Sequence, residues 1–466
     1  MEQGGVKIIN LAVQIVLARL LAPKTFGVLA ILVVVINVAD AVAQSGMGSA
    51  LVQRSDADAD SYTTAFWLSE AVALVMYCVI FTSSPAIASF YGMPDLSKYL
   101  RVMGLVLITN SVNGIQRAYL QKNMDFKTLF RTNTFAALSS GAVGVVCAIA
   151  GFGVWALVFQ TMALSIFACV ALLKYVPWKP TFTFRKDQAR SLFSYGWAMA
   201  VTGIINVIYS GISELILGRA VSSAQLGYYS QGRKWPTAAI SAGSNAIQNV
   251  MFPALAERKD DPEGFRRAMR RALVVGTYVM APIAMLLAAA GEPLVILLLG
   301  EKWKDCTPIF QAACFANFPM MLMLVNLRAY MALGDSRLYL RINIIKIAIG
   351  SALIAGAALS TGDIYIVSVV TASYTIMTVF FVDMVPAKRK TGLGWVDQIK
   401  LVAPILLLAF AAMVASMLAG RFFEAQTVKG MVMLVSYLII YIGGSALCKY
   451  EGYAELKTVI RKVLSR

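Results

Sequence analysis

Fourteen apolar runs, each of about twenty residues or more, follow one another along this chain with short polar connections between them. They cover residues 3–21, 27–50, 62–84, 98–121, 130–151, 153–175, 190–217, 227–256, 268–290, 307–331, 338–360, 362–385, 398–420 and 428–448. A hydrocarbon core of about 30 Å is crossed by roughly 20 helical residues. Lipid offers no partner to an open strand edge, so such runs are expected to be helices. The chain is 59% hydrophobic and only 14% charged, too few charges to cover a soluble globule of 466 residues. The expected fold class is an all-α integral membrane protein of about 14 transmembrane helices. Pro253, Pro282, Pro319 and Pro404 lie within the runs and mark candidate kinks.

The net charge of +17 is distributed by side. Connections after even-numbered runs, counted with the run ends that flank them and the tail, hold 26 Lys and Arg, against 7 after odd-numbered runs. This asymmetry predicts that both termini are cytoplasmic. The basic balance is then a topology signal rather than a nucleic-acid footprint. No loop is long enough for an independent domain, and no GxxxxGK[ST] pattern occurs, so neither an enzyme nor a built-in ATPase is expected. The six cysteines are scattered and the chain has no histidine, which predicts no disulfide frame, zinc site or other cofactor. In the tail, Tyr453, Leu456, Val459, Ile460, Val463 and Leu464 share one helical face, the pattern of an interfacial amphipathic helix.

The chain also echoes itself. Residues 18–27 read ARLLAPKTFG and residues 218–227 read GRAVSSAQLG, with Arg19 answering Arg219 and Gly27 answering Gly227. Arg117-Ala118-Tyr119 and Arg131-Thr132-Asn133 recur as Arg328-Ala329-Tyr330 and Arg341-Ile342-Asn343. The repeat period is six helices. An even period preserves orientation, so two pseudo-symmetric six-helix bundles related by an axis along the membrane normal are expected, with substrate where they meet. The expected divisions are 1–187 and 188–390 for the two lobes, 391–448 for an added two-helix hairpin, and 449–466 for a cytoplasmic tail.

Polar residues inside the apolar runs are the candidates for function. Asn37, Asp40 and Gln44 recur at i, i+3, i+7, as do Asn110, Asn113 and Arg117. Each spacing returns to one side of a helix. The eighth run carries Ser241, Ser244, Asn245, Gln248 and Asn249; later runs add Asn326, Arg328 and Lys346. Arg117, Arg328 and Lys346 are expected to attract phosphate, with Asn113, Asn245, Gln248 and Asn249 meeting sugar hydroxyls. Asp40, Glu70 and Glu214 are candidates for binding a coupling proton or sodium ion. Amide faces also serve simply to join helices, and cations near helix ends reach out to headgroups; both structural uses compete with these assignments.

Beyond the physical pattern, the chain resembles the Wzx-type polysaccharide flippases of the MOP (MATE-like) exporter superfamily, specifically the WzxC-like colanic acid exporter branch. The resemblance is carried by ARLLAPKTFG (18–27), SGMGSALVQR (45–54), TTAFW (63–67), IQRAYLQKNMDFK (115–127), GFGVWALVFQT (151–161), LGYYSQGRKWP (226–236) and EPLVILLLGEKW (292–303). It implies a two-lobed bacterial inner-membrane transporter that moves undecaprenyl-pyrophosphate-linked oligosaccharide units outward by alternating access. A proton or sodium gradient would drive it, alongside a polysaccharide polymerase and export machinery. An ion-coupled multidrug or metabolite antiporter of the same superfamily is the alternative. Two departures stand out. Relatives usually carry a leader before the first helix, which here begins almost at Met1. They also often have an acid directly before the Ser-Gly of the second helix, where this chain has Gln44, with Asp40 one turn earlier.

Overall fold

A computed structural model describes the chain except Met1, Ser45, Ser55, Asp56, Lys449, Glu451 and residues 454–466; it also leaves undescribed the side chains of residues 2–4, 191–200, 202, 246, 249, 250 and 336. The described residues form helices and connecting turns, with no strand among them. They divide into two compact units, Met1–Gly227 and Tyr228–Arg466. The amphipathic tail expected beyond Tyr453 lies outside the described residues.

The first unit contains α1 (Glu2–Leu20), α2 (Pro23–Gln44), α3 (Met47–Gln53), α4 (Ala59–Tyr91), α5 (Leu96–Met103), α6 (Val106–Lys122), α7 (Phe126–Ile149), α8 (Val154–Tyr175) and α9 (Lys186–Ala220). Helix α7 packs on α1 and α8, α6 lies between α4 and α8, and α9 runs along α2. Because α9 packs there, the compact unit extends past the 187/188 boundary expected from the repeat. Two expected runs are broken. Residues 27–50 divide into α2 and α3 at Gly46, whose backbone is left-handed, and residues 98–121 divide into α5 and α6. A cluster of Met47, Leu51, Tyr62, Phe66, Ile115 and Trp178, with its neighbours, ties α3, α4 and α6 together. Lipid tails are as apolar as these side chains, so close packing rather than water exclusion holds such a cluster together.

Helix α10 (Ser223–Ala256) starts in the first unit and continues in the second. The second unit adds α11 (Pro262–Ala289), α12 (Gly291–Leu299), α13 (Thr307–Asn317), α14 (Met320–Ala332), α15 (Ser336–Thr361), α16 (Ile364–Thr378), α17 (Ala387–Thr391), α18 (Trp395–Gly420) and α19 (Gln426–Leu447). Helix α11 is central, packing on α13, α14 and α18, while α18 pairs with α19. Asp261 caps α11, accepting from Gly264 N at 3.0 Å ahead of the first-turn Pro262. The expected run 307–331 is α13 and α14, bent by 42° at the break before Pro319 is passed.

Among the described residues, each expected run falls mostly on helix, with the breaks noted above. Among the described residues, nine helices are long and apolar enough to cross a membrane, and the bent α13–α14 pair would make a tenth. Two of the remaining helices, α6 and α10, carry polar faces singled out above.

The repeat is visible in backbone geometry. In the first unit the two copies of its first stretch meet: a Cβ on Gly27 would overlap the carbonyl oxygen of Ser223, and one on Gly227 would overlap that of Pro23. Only glycine at both positions permits this approach. The second echo shares a turn. Met124 (φ 56°) precedes Asp125, which caps α7 through Thr128 N at 3.0 Å. Gly334 (φ 80°) precedes Asp335, which caps α15 through Leu338 N at 3.1 Å.

Candidate functional site

The two helical faces read from the sequence converge in the first unit. Asn37, Asp40 and Gln44 of α2 and Asn110, Asn113 and Arg117 of α6 line one cavity of ≈ 550 Å³. The spacing i, i+3, i+7 brings each set to one side of its helix, and α2 and α6 pack together so that the sides face a common space. Gln121 and Ser49 extend the polar wall. Glycines of α3, α6 and α9 complete it, including Gly48, Gly114 and Gly203.

A hydrogen-bond chain fixes this wall. Asp40 accepts from Gln44 Nε2 at 2.7 Å and from Asn110 Nδ2 at 3.2 Å. Asn110 Oδ1 in turn accepts from Ser165 Oγ at 2.6 Å. Asn113 Nδ2 donates to the Ser165 carbonyl at 3.0 Å, while Asn113 Oδ1 is buried and accepts nothing among the described residues. A buried acceptor without a donor is costly, so this oxygen is a strained point in the wall. Arg117 is exposed and donates to Asn133 Oδ1 at 3.4 Å. Among the described residues no carboxylate lies within 4.0 Å of its guanidinium. The wall therefore offers one cation, one anion held by amides, and several amide donors and acceptors.

The other expected residues lie elsewhere. Glu70 of α4 accepts from Ser111 Oγ on α6 and is not part of the cavity lining. Glu214 of α9 is half-buried and also outside that lining. In the second unit Arg328 and Gln248 do meet: Arg328 Nε and Nη2 donate to Gln248 Oε1 at 3.0 and 2.9 Å, with the guanidinium 5.7 Å from the Phe252 ring centre. Asn245 is exposed on α10, one turn before Gln248. The side chain of Asn249 lies outside the described residues.

Lys346 has a partner that the sequence reading missed. Its Nζ lies 2.8 and 3.1 Å from the two carboxylate oxygens of Asp383, in a π-helical turn (Val379–Asp383) that ends α16. The side chains are 8% and 0% exposed, so this is a closed ion pair rather than a cation open to phosphate. Tyr330 Oη holds the Asp383 carbonyl and Tyr374 Oη that of Lys346, both at 2.7 Å. The signal was available: a lone carboxylate in an apolar run calls for an intramembrane cation. Ser165, in the middle of the apolar α8, and Gln398, which exchanges two hydrogen bonds with Asn326 at 2.7 and 3.0 Å, were also missed. Single polar residues in an apolar run carry no periodicity to reveal them.

Comparison with known proteins agrees with this architecture. The chain is 24% identical over 294 residues to the succinoglycan biosynthesis transport protein ExoT of Rhizobium meliloti (strain 1021), covering 63% of this chain and 60% of that protein. It is 25% identical over 305 residues to the lipopolysaccharide biosynthesis protein WzxC of Escherichia coli (strain K12), covering 64% and 61%. The matches thus span about three fifths of these relatives' lengths. Among solved structures, the lipid II flippase MurJ in an inward closed conformation superposes with TM-score 0.73 at 12% identity, covering 96% of this chain and 98% of that one. An inward-facing multidrug resistance MATE family transporter of the MOP superfamily gives 0.64 at 13% identity, covering 88% and 96%. These likenesses show the fold. The family described as "Polysaccharide biosynthesis protein" matches residues 16–308, and with the fold of the MOP-superfamily transporters the chain belongs to that polysaccharide biosynthesis family.

Proposed function

We propose that this protein moves a lipid-linked oligosaccharide from the cytoplasmic to the periplasmic leaflet of a bacterial inner membrane, by alternating access, for assembly of a surface polysaccharide. The carrier in this reading is undecaprenyl pyrophosphate. The observation that carries the proposal is the first-unit cavity, where Arg117 stands among Asn37, Gln44, Asn110 and Asn113. A guanidinium suits a phosphate, and amides that both donate and accept suit sugar hydroxyls. Family membership and the names of the relatives favour the same substrate class. The lone acid of the lining, Asp40, is the group for a coupling proton or sodium ion, and Arg328 with Gln248 forms the matching pair in the second unit. Both termini are taken as cytoplasmic, and a polymerase and export machinery as the downstream partners.

The experiment is deletion in the native host, with lipid-linked intermediates assayed in inverted and right-side-out vesicles. A completed single repeat unit should accumulate on the cytoplasmic face while surface polysaccharide is lost. Losing a charge-assisted hydrogen bond costs about 1.5–3 kcal/mol, so Arg117→Gln at normal protein level should slow transfer by about tenfold or more. Unchanged intermediates together with altered export of cationic drugs or metabolites would replace this reading with an antiporter.

A further inference from the structure

The second unit holds a cavity of ≈ 940 Å³ between the end of α10 and the start of α11, separate from the polar wall described above. Its two ends differ in chemistry. By their places on the chain, Arg258 and Arg267 lie toward one end and Ile247, Met251 and Val275 toward the other, with Arg271 between them. The helical period explains the arrangement. Ile247 and Met251 fall on one side of α10 at i, i+4, and Arg258 lies in the turn that follows that helix, while Arg267, Arg271 and Val275 fall on one side of α11 at i, i+4, i+8. Eight residues from Val275 back to Arg267 span roughly 12 Å of α11. The change from apolar to cationic therefore runs along α11 toward its start, and from α10 into the turn that follows it.

We infer that this groove binds an anionic glycerophospholipid, its phosphate at Arg258 and Arg267 and one acyl chain along Ile247, Met251 and Val275. Three observations select this occupant. Arg258 and Arg267 are exposed, and Arg258, in the turn after α10, donates one amino group to the Ala254 carbonyl of that helix, 2.9 Å away. The lone acid among the described lining residues, Asp261, is turned to the backbone as the cap of α11. Finally, no Asn, Gln, Ser, Thr or Tyr is among the described lining residues, in contrast to the first-unit cavity. The described lining has the chemistry for a phosphate and a hydrocarbon chain and offers no amide or hydroxyl side chain to a glycan. The charged end belongs to the most basic connection of the chain, on the side expected to face the cytoplasm, where anionic lipid concentrates. The inference does not depend on which glycan, if any, the protein carries.

The test uses the full-length protein, purified in detergent, stripped of lipid and titrated with phosphatidylglycerol or phosphatidylcholine of identical acyl chains. Retained lipid is read by native mass spectrometry and stability by thermal unfolding. Phosphatidylglycerol should bind and raise the unfolding temperature, and the Arg258→Gln/Arg267→Gln double variant should weaken that binding by about tenfold or more, leaving any effect of phosphatidylcholine unchanged. Both positions are exposed, which favours folding of the variant. In the unmodified protein, equal binding of the two lipids would overturn the proposal without any variant. Inorganic phosphate or pyrophosphate matching the lipid's effect would reduce the site to a simple anion site and remove the lipid. Displacement of phosphatidylglycerol by an undecaprenyl-pyrophosphate-linked sugar would assign the groove to the transported carrier instead.

Discussion

The Lys346–Asp383 pair allows a quantitative test of what an intramembrane cation is for. At 2.8 Å and an effective dielectric constant near 20, the attraction is roughly 6 kcal/mol. Removing two charges from water costs a similar amount, so the intact pair is near neutral for stability. Removing one partner keeps the cost and loses the attraction, an expected destabilisation of about 3–5 kcal/mol. For a unit of this size each kcal/mol moves the unfolding temperature by about 2–4 °C, so Lys346→Met or Asp383→Leu should lower it by roughly 6–20 °C. The Lys346→Met/Asp383→Leu double variant replaces the pair with apolar bulk and should unfold within a few degrees of the parent. Apparent unfolding temperatures at one scan rate suffice, because the rank order is the readout. A double variant as unstable as the worse single variant would refute the neutral-pair argument. Transport separates structure from function: a double variant that folds and still transports makes Lys346 a structural lysine, and one that folds but does not transport makes its charge part of the mechanism.

Three further predictions rest on local geometry. Gly27→Ala must push apart two backbones that a Cβ would overlap, costing about 1–3 kcal/mol or more, whereas Gly356→Ala and Gly443→Ala meet nothing within 4 Å and should be neutral or stabilising in thermal unfolding. Met124 is 74% exposed and left-handed where the second repeat has glycine, so Met124→Gly should gain up to about 1 kcal/mol, measured the same way. Asp58, Asp125 and Asp335 cap α4, α7 and α15, and their hydrogen bonds, first to Ser61, Thr128 and Lys390, hold all three below the usual carboxylate range. A depressed folded value gives stability that is complete above the unfolded range near pH 4 and is lost as pH falls through the folded values. Unfolding scans from pH 7 to 3 should show this loss, diminished in an Asp58→Asn/Asp125→Asn/Asp335→Asn variant that keeps the caps without the charge; an unchanged pH profile would assign the loss to other carboxylates.

How much was legible in the sequence depends on whether the physics is periodic. The apolar runs and the faces Asn37/Asp40/Gln44 and Asn110/Asn113/Arg117 repeat with the helical period, and the structure brings all six side chains to one cavity. The repeat was legible for a similar reason: Gly27 and Gly227 stand at matching positions because each opposes a backbone, and Asp125 and Asp335 because each starts a helix. What was not legible lies across helices. Nothing near Lys346 names Asp383, 37 residues away, and nothing near Asn113 names Ser165, 52 away. The break before α14 falls at Pro319, one of the candidate kinks, whereas the break at Gly46 was not read although Gln44, Gly46, Gly48 and Ser49 interrupt the apolar run there.

The two echoed arginines show the limit most clearly, and they bear on mechanism. Arg117 and Arg328 hold equivalent places in their repeats, yet Arg117 leans on Asn133 at 3.4 Å while Arg328 is gripped by Gln248 through two shorter bonds over Phe252. The residue answering Asn133 is Asn343, and it turns back to Tyr339 of its own helix. Duplication thus conserved the cation and changed what restrains it. A weakly held guanidinium beside amide groups can transfer its hydrogen bonds to a phosphate at little cost, whereas one bound twice must first give up those bonds. Under the proposed function, the first-unit arginine is therefore expected to be the better phosphate receptor. Arg117→Gln should impair transport more than Arg328→Gln, and Gln248→Ala, by loosening Arg328, should narrow the difference between the two sites in a competition for pyrophosphate.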